Sequence, residues 1–228
     1  MFIDRSDAGK QLAARFMDYQ GVNALVLAIP RGGVPVAVEV AKRLKAEFSL
    51  VITRKLPYPN NPEAGFGAIA EDSSIFILQS AVKALPLQLI ETIIASQRKE
   101  IKRRINVLRQ GTPLPKIEDR VVILIDDGIA MGSTMRASIK LVQRRNPEKL
   151  IVSAPVSSPE LARALEQREA VDKVIVLEQP RFFRAVAQVY QNWYDVPDHE
   201  VLEIMKNWDH HHADREEPVK KKEQDGSF

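Results

Sequence analysis

The stretch VVILIDDGIAMGST, residues 121–134, decides how the chain folds. Five uninterrupted apolar residues closed by a small-residue loop read as a strand buried on both faces, the kind that fills a parallel sheet. The spacing after the loop predicts a helix over 134–145. Asp126 and Asp127 end the strand, and adjacent carboxylates there are costly unless something satisfies them. In a parallel α/β sheet that position is where a ligand binds, and carboxylates there accept hydrogen bonds from ribose hydroxyls. Gly128, Ala130, Gly132 and Ser133 are small, so backbone N–H groups can approach an anion closely. The helix start adds orphan amides and the positive dipole end, and Ser133 and Thr134 add hydroxyl donors. Taken singly, each residue fits a plain turn with a helix cap. Together they point to a phosphorylated ligand bearing vicinal hydroxyls. A nucleotide P-loop is disfavoured, because Gly128 and Gly132 stand too close and no lysine precedes Ser133.

The same pattern recurs outward in both directions. Residues 24–29 form an apolar run cut off by Pro30, Arg31, Gly32 and Gly33, followed by a helix over 34–45. A second short strand is expected at 50–53. Three prolines and two asparagines mark 54–64 as loop, and 66–70 with 74–78 pair as a hairpin. A long amphipathic helix covers 86–109. Beyond the central motif, strand 150–154, helix 159–168 and strand 173–177 complete the alternation. An N-terminal helix over 7–19 precedes it all, and a short one follows at 198–208. Strands alternating with helices predict an α/β fold, a parallel sheet flanked by helices on both faces. The expected organisation is a single domain over 1–208, with a small hood near 54–80 and a C-terminal extension. From Asp209 onward almost nothing apolar remains, so 209–228 reads as a disordered tail.

Composition narrows the classes. The 228 residues are 45% apolar and 28% charged, with a net charge of +3. Having no cysteine, the chain can form no disulfide, thiolate nucleophile or iron–sulfur cluster, which fits a reducing cytoplasm. No apolar run approaches the roughly 18–20 residues that span a bilayer, and residues 1–10 lack the core of a secretory signal. The modest positive excess suits a small polyanionic substrate as well as nucleic acid. Arg98, Lys99, Lys102, Arg103, Arg104 and Arg109 cluster on the long helix. Sharing it with an apolar stripe, they read first as a solvated face, with nucleic acid or an acidic partner as the alternative. The aromatic residues of 182–194 read as packing, with stacking on an acceptor base as the alternative. His210, His211 and His212 read as solvated rather than chelating.

The central motif resembles the phosphoribosyl-pyrophosphate (PRPP) motif of the type I phosphoribosyltransferases. The resemblance implies that Asp126 and Asp127 hold the ribose 2′- and 3′-hydroxyls, and that Ala130, Met131, Gly132, Ser133 and Thr134 cup the 5′-phosphate. Met131 stands where the family often has threonine. Ala130 stands where purine-salvage members carry an aspartate, which disfavours hypoxanthine or guanine transfer. IPRGG, residues 29–33, is similar to the family's pyrophosphate loop, with Arg31 as a bidentate ligand and Gly32 and Gly33 as an amide nest; alone, it is equally a glycine turn. The pair Arg54 and Lys55 is similar to one in orotate-type members that meets the pyrophosphate, where two solvated charges are the alternative. The hood would then close over the substrate, hinged at Gly65 and Gly67, with Glu71 or Asp72 facing metal or acceptor. These motifs, over about 7–178, resemble an uncharacterised bacterial and archaeal branch of the family.

The resemblance implies a Mg²⁺-dependent enzyme that moves the phosphoribosyl group of PRPP to a small nitrogenous acceptor and releases pyrophosphate. Lys55 and Asp127 are its catalytic candidates. Asp126 and Asp127 are its metal contacts, mainly through substrate or water. A homodimer is the family expectation. The alternatives are a catalytically silent PRPP-sensing regulator, with or without a link to nucleic acid, and a phosphosugar hydrolase.

Overall fold

The computed structural model describes residues 1–213. Helix α1 (Arg5–Ala13) is capped by the Asp4 carboxylate, which accepts from the Asp7 amide, and tightens into 3₁₀ turns over Ala14–Tyr19. Then follow β1 (Ala24–Ala28), α2 (Gly33–Leu44) and β2 (Glu47–Leu50). The chain next leaves the main sheet for β3 (Thr53–Tyr58), β4 (Asn61–Ala70) and β5 (Ile75–Ile77), then α3 (Gln79–Ala84) and α4 (Leu87–Leu108). It returns through β6 (Val121–Ile125), α5 (Ser133–Gln143), β7 (Lys149–Val156), α6 (Pro159–Arg168) and β8 (Lys173–Glu178), and closes with α7 (Asp198–Ala213).

The main sheet has the order β2-β1-β6-β7-β8, and every pairing in it is parallel. All residues of β1 and β6 are buried, because the sheet is covered on both faces. Val26, Ile123 and Ile125 pack with α2, α4 and α7 on one side. Leu25, Leu27, Val122 and Leu124 pack with α5 and α6 on the other. Strand alternation thus sends each apolar run into two cores at once, with about 1.5–3 kcal/mol per fully buried Leu, Ile or Val.

From β1 the chain runs outward to β2 on one side and, after the excursion, to β6 on the other. The carboxyl ends of β1 and β6 are therefore the point where strand order reverses, the place where open α/β sheets take their ligands. There Ala28 pairs with Ile125, and the Ile29 amide donates to the Ile125 carbonyl at 2.9 Å. The two loops that the sequence singles out emerge side by side.

Three expectations change. The second strand ends at Leu50 instead of starting there. The Ile52 amide donates to Glu71, and the chain turns into the smaller sheet. Second, most of 54–64 is not loop but an antiparallel hairpin turning at Pro59 and Asn60. Pro57 sits at a register shift opposite Gly65, and Pro62 falls between paired positions, where a missing N–H costs the ladder little. Third, α7 runs past 208 to Ala213, anchored by Trp208, whose ring meets Phe48 edge-on at 5.3 Å. The rest of the expected tail, 214–228, lies outside the described residues. No helix among them is long and apolar enough to cross a membrane.

Candidate functional site

The acids sit against the β1–α2 loop with no room between. A Cβ on Gly32 would overlap the Asp127 carboxylate, and one on Gly33 would lie 2.8 Å from the Ile125 carbonyl and 2.9 Å from Asp126 Cα. Both glycines are there for close approach. The Gly33 amide donates to the Ile29 carbonyl at 3.1 Å, so it is already committed, and the expected nest is narrower than two open glycine amides. The Pro30–Arg31 peptide is cis.

Asp127 is held from the two ends of the chain. Arg5 Nε donates to its Oδ2 at 2.8 Å, an ion pair 4% and 14% exposed. Arg5 is itself boxed in, its guanidinium 4.0 Å from the Trp193 ring centre and donating to the Tyr194 carbonyl at 2.9 Å. The Tyr190 hydroxyl donates to the Asp127 carbonyl at 2.7 Å, and burial, with the Asp127 charge, keeps that phenol protonated. The Asp127 amide donates to Asp126 Oδ1 at 2.8 Å. Burial pushes the Asp126 carboxyl well above the usual carboxylate range, and the neighbouring Asp127 charge adds to this. Burial raises Asp127 as well, against the pull of Arg5. Sequence reasoning missed Arg5: nothing about one arginine in an N-terminal helix marks it. Its signal lay in the aromatic residues of 182–194: Tyr190 is buried as expected and Trp193 and Tyr194 gather, partly exposed, around the Arg5 cation, whereas Phe182 is exposed.

Beside Asp126 lies a cavity of about 250 Å³, whose walls include Lys55, Gly65, Gly128 and the run from Ala130 to Thr134. Gly132 takes φ +74°, a backbone that favours glycine, and opens α5. The first amides of that helix lack intrahelical acceptors, as at any helix start. Ser133 stands in the same cavity wall, and its hydroxyl is buried without a hydrogen-bond partner. Such an orphan donor is costly without a ligand. Arg136, ion-paired with Glu169 at 2.7 Å, reaches back to the Met131 carbonyl and steadies the loop.

The side chains of Arg54 and Lys55 point apart. Both lie on β3, where successive side chains face opposite ways. Lys55 lies over Gly65 in the cavity beside Asp126. Arg54 turns to α4, where its Nε donates to Gln97 at 3.2 Å. Arg31 reaches Asp198 at 3.1 Å. Gly65 and Gly67 are no hinges: they are paired strand positions where a Cβ would strike Lys55 or the Phe76 carbonyl. Glu71 faces neither metal nor acceptor. It is buried against Arg109 at 2.6 Å, and Asp72 caps its own turn through Ser74. The basic run is not one solvated face either. Arg98, Lys99 and Lys102 are exposed, but Arg104 and Arg109 are buried. Among the described residues no three His, Asp or Glu side chains gather as a metal cage.

A family model described as the phosphoribosyl transferase domain matches residues 6–191. Curated relatives from two strains of Mycobacterium tuberculosis, provisionally named phosphoribosyl transferases, are each 34% identical over 207 residues, covering 90% of this chain and 46% of theirs. The chain spans about half the length of the curated relatives it matches. A crystal structure from Thermus thermophilus is 35% identical, with a TM-score of 0.75 over 91% of this chain and 98% of that one.

Proposed function

The chain belongs to the phosphoribosyl transferase family, and from that premise we propose that it binds PRPP and transfers the 5-phosphoribosyl group to a nitrogenous acceptor, releasing pyrophosphate. The observation that carries the reading is the orphan Ser133 hydroxyl, buried at a helix start within one cavity wall of Asp126. A 5′-phosphate there receives that hydroxyl, Thr134 and the free amides of 130–134. The sugar hydroxyls then fall to Asp126 and Asp127, and the pyrophosphate to the β1–α2 loop and Arg31.

In the transfer the bond between C1′ and the pyrophosphate oxygen breaks as the acceptor nitrogen attacks. Charge builds on the leaving oxygen, where the Arg31 guanidinium, paired with Asp198 in the free protein, supplies a cation. Lys55 adds a cation beside the ribose acids. Asp127, with one carboxylate oxygen taken by Arg5, serves better as a ribose acceptor than as a base. The donor set fits Mg²⁺: Asp126 and Asp127 are hard oxygen donors at the cavity, the kind taken by an ion that keeps waters and binds mainly through substrate oxygens. When bound, Mg²⁺ would neutralise pyrophosphate charge, with Asp126 and Asp127 as its protein contacts. A second reading, a PRPP sensor without turnover, is favoured by Met131, 58% exposed where a hydroxyl would serve the phosphate.

Calorimetric titration of PRPP with Mg²⁺ into wild type and the Asp126→Asn/Asp127→Asn protein tests the site. Binding by wild type alone is the expected result; no binding by wild type overturns it. A nucleobase screen for pyrophosphate release then separates enzyme from sensor.

A further inference from the structure

We propose that the chain carries a second ligand site, apart from the sugar-phosphate cleft, in a cavity at the far end of α5. There Arg109 and Arg145 take the oxyanion of a small molecule, a phosphate or a carboxylate carried on an apolar body. Nothing in this depends on what the cleft binds. Ser133 and Thr134 open α5 in the cleft, whereas Arg145 stands just past the helix end. The 11 residues of that helix put about 16 Å between its two ends.

The cavity holds about 620 Å³, a size that suits a small ligand. Its walls come from the end of α4 with the loop 111–118, from the turn at Glu71, and from Arg145 with Asn146. Arg109 is buried against Glu71 at 2.6 Å and donates to the Leu50 carbonyl at 2.9 Å, yet its Nε is buried without a partner. Lys116 meets Glu118 at 3.1 Å. Arg145 is the cation left over. Among the described residues its guanidinium has no carboxylate and no hydrogen-bond acceptor, and its Nη1 is buried.

A cation at a helix C-terminus is ordinary, because the dipole favours it there, and that accounts for an arginine at the end of α4 or of α5 taken singly. It does not account for two such ends opening on one cavity, each with a buried guanidinium nitrogen left unbonded. Buried donors without acceptors cost free energy, and an oxyanion accepting from them removes that cost. The guanidinium fork matches phosphate or carboxylate oxygens in pairs. Around the cavity Arg109, Lys116 and Arg145 face only Glu71 and Glu118, so a single positive charge is in surplus. That suits a group of one or two negative charges and not a polyanion such as PRPP. Ile105, Leu114 and Pro115 are part-exposed in the same walls and give an apolar body its surface.

The test titrates phenyl phosphate and, separately, benzoate into full-length wild type, Arg145→Gln, Arg145→Lys and Ser133→Ala. Arg145→Gln is expected to lower the affinity roughly ten-fold or more. Arg145→Lys, which keeps the charge without the fork, should lose only part of it, and Ser133→Ala should leave it unchanged. The tighter of the two probes tells whether the oxyanion is a phosphate or a carboxylate. Arg145 is half-buried and its side chain bonds to no other described residue, so its replacement leaves the melting curve in place. Affinity unchanged in Arg145→Gln, affinity lost only in Ser133→Ala, or no binding of either probe by wild type overturns the proposal. If wild type takes no PRPP yet binds a probe through Arg145, the proposed function fails and this site stands.

Discussion

The two ends of the cleft are built on opposite plans. At the β6–α5 end Asp127 is matched: it has Arg5, Arg5 has its aromatic box, and Tyr190 ties the same residue's carbonyl, while Asp126 accepts from the Asp127 amide. At the arginine end the charge is left over, with Glu100 and Asp198 spread across Arg31, Arg103 and Arg104, and Arg54 beside them. A matched end fixes geometry before any ligand arrives. An unmatched end stores attraction for the most negative part of a ligand.

The sharpest way to break the comparison is to unmatch the matched end. Arg5→Gln leaves a buried carboxylate without its cation and should cost about 3–5 kcal/mol of stability, read from denaturant unfolding. A loss below about 1 kcal/mol would mean that the acid end is no better wired than a surface pair. Next comes the wall between the loops. Gly33→Ala meets the Ile125 carbonyl and the Asp126 backbone, which cannot swing aside as a side chain can. A loss of about 1–3 kcal/mol is expected, with PRPP affinity falling too because the acids move; an unaffected melting curve and titration would show the contact to be slack.

Ser133→Ala sharpens the contrast between a structural and a ligand-binding hydroxyl. Since Ser133 Oγ has no partner, stability should hold or rise slightly, while ribose 5-phosphate affinity drops by about 1.5–3 kcal/mol, as for a bond to a charged group. Lost stability with unchanged affinity would reverse the assignment. The smallest effect belongs to Glu100, held at about 2 by its hydrogen bond from Arg103 and then that from Arg104. A depressed carboxylate stabilises the fold above its unfolded value near 4.5, and that contribution is lost as pH falls toward about 2. Exposure keeps it small. In Glu100→Gln the unfolding midpoint should vary less with pH across that window than in wild type.

Legibility followed the range of the forces involved. The run 121–125 and the acids after it were readable because burial on both faces leaves an unbroken apolar signature, and a small-residue loop announces close backbone approach. The hairpin from Thr53 was not, because prolines read locally as loop when their ladder partners are unknown. That error had a consequence: as loop residues Arg54 and Lys55 look like one cationic pair, whereas as strand residues they must part to opposite faces.

By itself, then, the sequence determined the parallel sheet, the two loops at its switch point and the small residues that line the cavity beside Asp126, since periodicity and loop chemistry are properties of neighbours along the chain. Tertiary structure alone decided that Arg5 completes Asp127, that Glu71 belongs to Arg109 and that Arg54 joins the helix arginines. Coulombic and hydrogen-bond partners are chosen by distance in space, and these lie tens of residues apart in the chain.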